Sequence, residues 1–297
     1  MKILLTGSSG LIGQALIPVL TTGGHRVTSL VRFRPRGGES LVHWDPAGGQ
    51  IDAPKLEGID AAVHLAGESI NGRWNAAKKR AILESRVKGT RLLCETLAKL
   101  SHRPRVLVAA SASGYYGERG EEVLSEESEA GSSFLSQVCR EWEAATKPAA
   151  ARGIRVVNLR IGFVLSPAGG GLAKMLPAFK MGVGGKIGSG RQYMSWIAID
   201  DLAQIIMFAT NTEALNGPVN AVAPNPVTNL EFTKTLARVL RRPAIFPMPA
   251  FAVRLAFGEM GEELLLASAR LEPTRLRSAA YQFRLPQLEG ALRHLLS

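Results

Sequence analysis

The chain has 297 residues, 46% apolar and 21% charged, enough to bury one large core or two coupled ones, which excludes disorder as a description of the whole. No stretch approaches the ~20 apolar residues of a membrane-spanning helix, so a soluble protein without membrane contact is expected. Lys and Arg outnumber Asp and Glu by 36 to 25, a net +11 that suits an anionic cofactor or substrate, but the chain lacks the tight basic runs and interleaved aromatics of a nucleic-acid platform.

The first apolar run is Ile3-Leu4-Leu5, closed by Thr6-Gly7. It is shorter than the ~7–15 residues of a secretory segment and reads as a buried strand, Lys2–Thr6. Further strands are predicted over Arg26–Val31, 60–65, 105–110 and 155–159. Between them Ile12, Ala15, Leu16, Val19 and Leu20 share one helical face, and a second periodic stretch runs from Ile82 to Leu97. Strands alternating with helices predict an α/β fold of the Rossmann type, a doubly wound parallel sheet with right-handed crossovers. After Ser166 the glycine-rich pieces 169–171 and 182–185 bracket a short helix and mark a departure from the sheet. Asp200-Asp201-Leu202 then opens a helix, and Thr228-Asn229-Leu230-Glu231 is a capping box before another. Short helices separated by prolines complete the chain. The predicted division is a nucleotide-binding domain over 1–165 and 195–226, and a small, mostly helical C-terminal cap over 166–194 and 227–297. Cys94 and Cys139 have no metal-ligating neighbours, so neither a disulfide framework nor a metal site is expected, and a reducing, cytoplasmic setting is the default.

Chemistry first enters at Gly7-Ser8-Ser9-Gly10-Leu11-Ile12-Gly13, between the first strand and the first helix. A dinucleotide pyrophosphate requires this pattern: one glycine for the tight turn, a second for close approach of the phosphates, a third for helix–strand packing, with the helix N-terminus offering N–H groups. Gly7, Ser9, Gly10, Leu11, Ile12 and Gly13 are therefore candidate cofactor contacts. An NAD enzyme places an acid at the end of the second strand to meet the adenosine ribose. Here that place reads Val31-Arg32-Phe33-Arg34-Pro35-Arg36. A guanidinium pairs with a 2′-phosphate, so NADP is the expected cofactor, with Arg32 the first candidate contact and Arg34 the second.

The turn Gly7–Gly13, the segment Asp60-Ala61-Ala62-Val63-His64-Leu65-Ala66-Gly67, the strand end Ser111-Ala112-Ser113-Gly114-Tyr115-Tyr116-Gly117 and Ser195-Trp196-Ile197-Ala198-Ile199-Asp200-Asp201 resemble the extended short-chain dehydrogenase/reductases. Trp74 with Lys78, the stretch from Ser85 to Thr90, Phe134 to Glu143, and Gly258-Glu259-Met260 with Leu285-Pro286 resemble, more narrowly, the atypical "epimerase family" branch. That resemblance implies an NADP-binding Rossmann domain and a small C-terminal cap, with the reaction open. It places Leu65, Ala66 and Gly67 beside the cofactor, Ser111 at the strand end next to it, and Val164 along the nicotinamide. Arg86, where extended members usually carry Asn, is a candidate for phosphate or ribose; His64 is a strand residue, not a base.

The resemblance fails at the chemistry. Catalytic members carry Tyr-x-x-x-Lys, and the corresponding positions here are Phe134 and Val138, with Ala112 in place of the usual hydroxyl. Losing a positioned acid–base typically forfeits ~10²–10⁴-fold in rate, so no catalytic group is assigned. The nearest hydroxyls are those of Ser113, Tyr115 and Tyr116, while Cys139 is expected in the core. Two readings stand: an oxidoreductase or epimerase-like enzyme acting on a small or sugar-like substrate, and a non-catalytic NADP(H) sensor. Nucleic-acid binding is not expected, and the pattern permits a homodimer.

Overall fold

The parallel sheet appears in the computed structural model as eight strands; residues 1–35 and 40–297 are described, so Arg36 lies outside them. The strands are β1 (Lys2–Thr6), β2 (Arg26–Val31), β3 (Leu41–Asp45), β4 (Gln50–Ile51), β5 (Ala61–His64), β6 (Val106–Ala112), β7 (Arg155–Ile161) and β8 (Gly217–Ala221). Their spatial order is β8-β7-β6-β5-β1-β2-β3-β4, parallel throughout except for the β3–β4 pair. The central strands carry buried apolar stretches, Ile3-Leu4-Leu5 in β1, Ala61-Ala62-Val63 in β5 and 106–110 in β6, because helices cover both faces of the sheet. Chain order reverses between β1 and β5, and an open sheet wound in this way leaves a crevice at the carboxyl ends of those strands.

The helices are α1 (Leu11–Thr22), α2 (Ala76–Lys99), α3 (Phe134–Ala144), α4 (Gly170–Lys180), α5 (Ile199–Asn211), α6 (Asn229–Leu240), α7 (Ala250–Phe257) and α8 (Leu288–Leu296), with shorter turns between them. The capping box before α6 is present on both sides, Thr228 accepting from the Glu231 N–H and Glu231 from that of Thr228. One face of the sheet gathers Leu16, Leu20, Val157 and Leu202 into the larger core; the other packs Leu30, Leu56, Leu93 and Leu97.

β1 and β2 match their predicted limits, β5 is one residue shorter at each end, and β6 and β7 each run two residues further. β3, β4 and β8 are additions. In β8 the Gly217-Pro218 pair and Asn220 interrupt the apolar pattern, and the edge position, pairing only with β7, tolerates the proline. The segments 166–194 and 227–297 share the main core: Leu172 and Phe179 of α4, Phe232 and Leu236 of α6, and Leu288 and Leu292 of α8 join the same cluster as Ile3 and Leu5. Buried Asp201 fastens the end of the chain by accepting the backbone N–H groups of Arg284 and Leu285, each at 2.9 Å.

Candidate nucleotide-binding site

At the crevice the phosphate-turn glycines separate into different physical roles. Gly7 has φ +71°, and a Cβ on it would stand 2.8 Å from the Leu65 carbonyl carbon, so it is demanded by turn and packing together. On Gly13 a Cβ would collide with the Gly7 carbonyl oxygen, which fixes the approach of α1 to β1. Gly10 differs: its φ is −80°, and a Cβ would meet only the Gly7 oxygen, at 3.3 Å. The protein itself has little need of glycine there, whereas a group approaching from outside does. Gly10 and Ser9 are exposed, and α1 starts at Leu11 with no side-chain cap, so its first N–H groups face the open turn. The cradle fits a pyrophosphate. Leu11 also touches the glycines that follow Val164, its methyl groups lying 3.2 Å and 3.3 Å from where a Cβ on Gly169 or Gly170 would be.

A buried polar chain holds this turn in place. The N–H groups of Leu65 and Ala66 both donate to Thr6 Oγ1 at 3.1 Å. Thr6 Oγ1 lies 2.7 Å from His64 Nδ1, and His64 Nε2 lies 2.8 Å from Thr90 Oγ1, which also accepts the Trp142 indole N–H at 2.9 Å. With both acceptor directions of Thr6 used, its proton donates to Nδ1, leaving Nε2–H to donate to Thr90. His64 is fully buried, and burial pushes its pKa down to about 4. It is a neutral strut that ties β1 and β5 to α2, not a base.

Arg32 and Arg34 follow β2 as exposed side chains, with no carboxylate partner among the described residues. Across from them Glu68 accepts Lys78 Nζ at 2.7 Å, and that bond lowers the Glu68 carboxyl pKa, assisted by the charges of Lys78, Arg32 and Arg86. Arg86 is half-buried. Its Nη1 donates to the carbonyl oxygens of Glu68 at 3.0 Å and Ile82 at 3.1 Å, and its guanidinium stands 5.0 Å from the Trp142 ring centre. A Cβ on Gly67 would meet Arg86 Cζ at 3.3 Å. Arg86 therefore secures the Gly67–Glu68 backbone, and that work leaves only part of its guanidinium for a ligand.

Ser111, Ser113, Tyr115 and Tyr116 serve different ends. Ser111 donates to Glu143 Oε1 at 2.7 Å, so its hydroxyl belongs to a buried network. Arg160 completes that network with two bonds to Glu143, at 2.9 and 3.0 Å, and one to the Tyr116 hydroxyl, at 3.0 Å. Tyr116 donates to Asn220 at 2.7 Å, is wholly buried, and has its pKa pushed up to about 12 chiefly by burial. It is removed as a proton donor. Tyr115 lies half-buried against Arg160, whose Cζ is 3.4 Å from the ring centre. Ser113 is also half-buried, and its hydroxyl has no protein partner among the described residues. Cys139 is core: its Sγ faces the Ala112 carbonyl at 3.7 Å, and burial pushes its thiol up to about 12.

The positions of the absent Tyr-x-x-x-Lys pair are filled by apolar packing. Phe134 meets Trp74 edge to face at 5.4 Å, and Val138 is buried with Ile82 and Leu135. Lys79 Nζ sits 4.4 Å from the Phe134 ring centre and pairs with Glu259 at 2.7 Å. The first turn of α3 is capped from the far end of the chain: Glu263 accepts Ser133 Oγ at 2.9 Å and the N–H groups of Phe134 and Leu135 at 3.0 and 2.8 Å. Sequence reading missed Glu68, Glu143, Arg160 and Glu263. Glu143 closes the stretch 134–143 without being marked there as a buried acid, and the others lie in no local motif; Arg160, which follows Arg155 and Asn158 among the polar residues of β7, was the signal pointing to a buried acid partner.

Comparison with known proteins agrees with this geometry. Residues 3–221 match the model of the NAD dependent epimerase/dehydratase family, and residues 248–295 match a domain of unknown function, DUF1731. An epimerase family protein of Mycobacterium bovis is 45% identical over 94% of this chain and 92% of its own length. The human epimerase family protein SDR39U1, solved with NADPH, superposes with a TM-score of 0.91 at 35% identity, covering 99% of both chains. A UDP-glucose 4-epimerase from Thermus thermophilus shares the fold at 18% identity, with a TM-score of 0.75, covering 100% of this chain and 99% of its own. The chain belongs to the NAD dependent epimerase/dehydratase family, among its "epimerase family protein" members.

Proposed function

We propose that the protein binds NADP(H) across the β1–α1 turn and acts as an oxidoreductase or epimerase-like enzyme on a small or sugar-like substrate. The observation that carries this reading is Gly10, which leaves an open cradle at the N-terminus of α1 where the protein's own packing makes little demand for glycine, a Cβ meeting only the Gly7 oxygen at 3.3 Å. Gly7–Gly13 would hold the pyrophosphate, Leu65, Ala66 and Gly67 would border the adenosine side, and Arg32, with Arg34, would meet the 2′-phosphate as a cation without a carboxylate partner among the described residues. The human relative solved with NADPH supports the phosphorylated cofactor. The cofactor would supply hydride chemistry; Val164 would flank its nicotinamide, and Ser113 or Tyr115 would offer the proton that Phe134 cannot.

A second reading, a non-catalytic NADP(H) sensor, draws on one observation: both positions of the missing catalytic pair are packed with apolar side chains. Stopped-flow oxidation of bound NADPH against a panel of aldehydes, ketones and nucleotide sugars separates the two. Turnover above the solvent background supports the enzyme; none across the panel, with NADPH tightly bound, supports the sensor.

A further inference from the structure

Two stretches of the sequence, 144–199 and 232–258, contain no Asp or Glu. The fold lays parts of them side by side. The Phe246 N–H donates to the Gly184 carbonyl at 3.1 Å, the Met248 N–H to that of Lys186 at 2.9 Å, and the Gly188 N–H returns to Met248 at 2.9 Å. Gly182 abuts the Pro243 ring, and α7 follows directly. Of the eleven large apolar side chains exposed among the described residues, seven belong to this ribbon and α7. Ile245, Phe251 and Leu255 are 72, 70 and 74% exposed. Phe251 and Leu255 share the outer face of α7 while Val253 is buried behind them. Isolated exposed apolar residues are ordinary, but a cluster of this size marks a docking surface.

The surrounding charge selects the partner. Lys180, Arg241 and Arg242 border the cluster, exposed and without carboxylate partners among the described residues. A second copy of the chain docked through this face would set these cations against each other, and the acid beside α7, Glu262, is already paired with Arg254 of the same chain. A surface both apolar and anionic satisfies the face: acyl chains and headgroup carbons for Phe246, Phe251 and Leu255, phosphates for the cations. We propose that this face attaches the protein peripherally to an anionic lipid bilayer. No helix among the described residues is long and apolar enough to cross a membrane, which bears on spanning and not on attachment, so this proposal replaces the expectation of no membrane contact.

The test is flotation of the full chain with phosphatidylcholine vesicles, pure or containing about a third phosphatidylglycerol. The expected result is flotation with the anionic vesicles only, weakened by salt. Removing two cations in Lys180→Gln/Arg242→Gln should weaken binding by roughly 30-fold, at ~1 kcal/mol per cation. Phe251→Ser/Leu255→Ser should abolish it. Both double variants should keep the wild-type melting temperature and NADPH affinity. Equal binding to pure phosphatidylcholine, no binding to either vesicle, or anionic binding indifferent to both double variants overturns the proposal. So does a dimer in solution that Phe251→Ser/Leu255→Ser dissociates, which would make the face a contact between copies, or a loss of NADPH affinity, which would make it part of the cleft.

Discussion

The carboxylate of Glu263 accepts the backbone N–H of Phe134 at 3.0 Å, joining the C-terminal segment to the first turn of the helix on which catalytic family members carry their tyrosine. A hydrogen bond to a charged acceptor contributes ~1.5–3 kcal/mol, and a helix cap about 1. Glu263→Ala is expected to cost about 2 kcal/mol and to raise hydrogen exchange in the first turn of α3 and in 255–266, with Glu263→Gln intermediate. Unchanged exchange at Phe134 and Leu135 in the alanine variant would show that the cap does not hold the two segments together.

Gly10 and Gly13 should separate ligand binding from folding. Gly10→Ala is expected to lower NADPH affinity by about tenfold or more while the melting temperature stays near wild type. Gly13→Ala should lower both, since its Cβ has no room against Gly7. Calorimetric titration with parallel thermal melts reads both quantities; equal loss of stability in the two variants would contradict the open cradle.

His64 gives a pH signature. The folded chain holds it neutral with a pKa of about 4, while the unfolded value is ~6.5. Below pH ~6.5 the unfolded state takes up a proton that the folded state refuses, so stability falls with pH by up to ~1.4 kcal/mol per unit until about pH 4. Urea unfolding at pH 7 and pH 4.5 should show the wild type losing about 2–3 kcal/mol more than His64→Gln. Parallel pH profiles for the two proteins would mean that His64 is not held neutral.

Among the hydroxyls, Tyr116→Phe is expected to cost ~1–3 kcal/mol of stability, because Arg160 and Asn220 lose their partner, and to leave single-turnover NADPH oxidation unchanged. One of Ser113→Ala and Tyr115→Phe should slow that oxidation ~10²-fold with cofactor binding intact. If neither slows, the proton comes from solvent or substrate.

What could be read from sequence was what local spacing encodes. The apolar run ending at Gly7, the glycine triplet and the Thr228–Glu231 box act over a few residues, and each is found where it was expected. β8 was hidden because an edge strand accommodates Pro218. The roles of Ser111 and Tyr116 depend on Glu143 and Arg160, 32 and 44 positions further along, and the Glu263 cap spans 129. No periodicity carries such pairings. The same holds for the apolar face beside α7: its residues look like core in sequence, and only their exposure sets them apart.

The central claim, a phosphorylated dinucleotide read by Arg32, is tested most directly by titrating wild type and Arg32→Ala with NADPH and NADH and following nicotinamide fluorescence. A charge-assisted contact to the 2′-phosphate predicts roughly 10–100-fold tighter NADPH binding in the wild type, and loss of that preference in Arg32→Ala with NADH affinity unaltered. Equal affinities in the wild type, or a preference that survives Arg32→Ala, would contradict it.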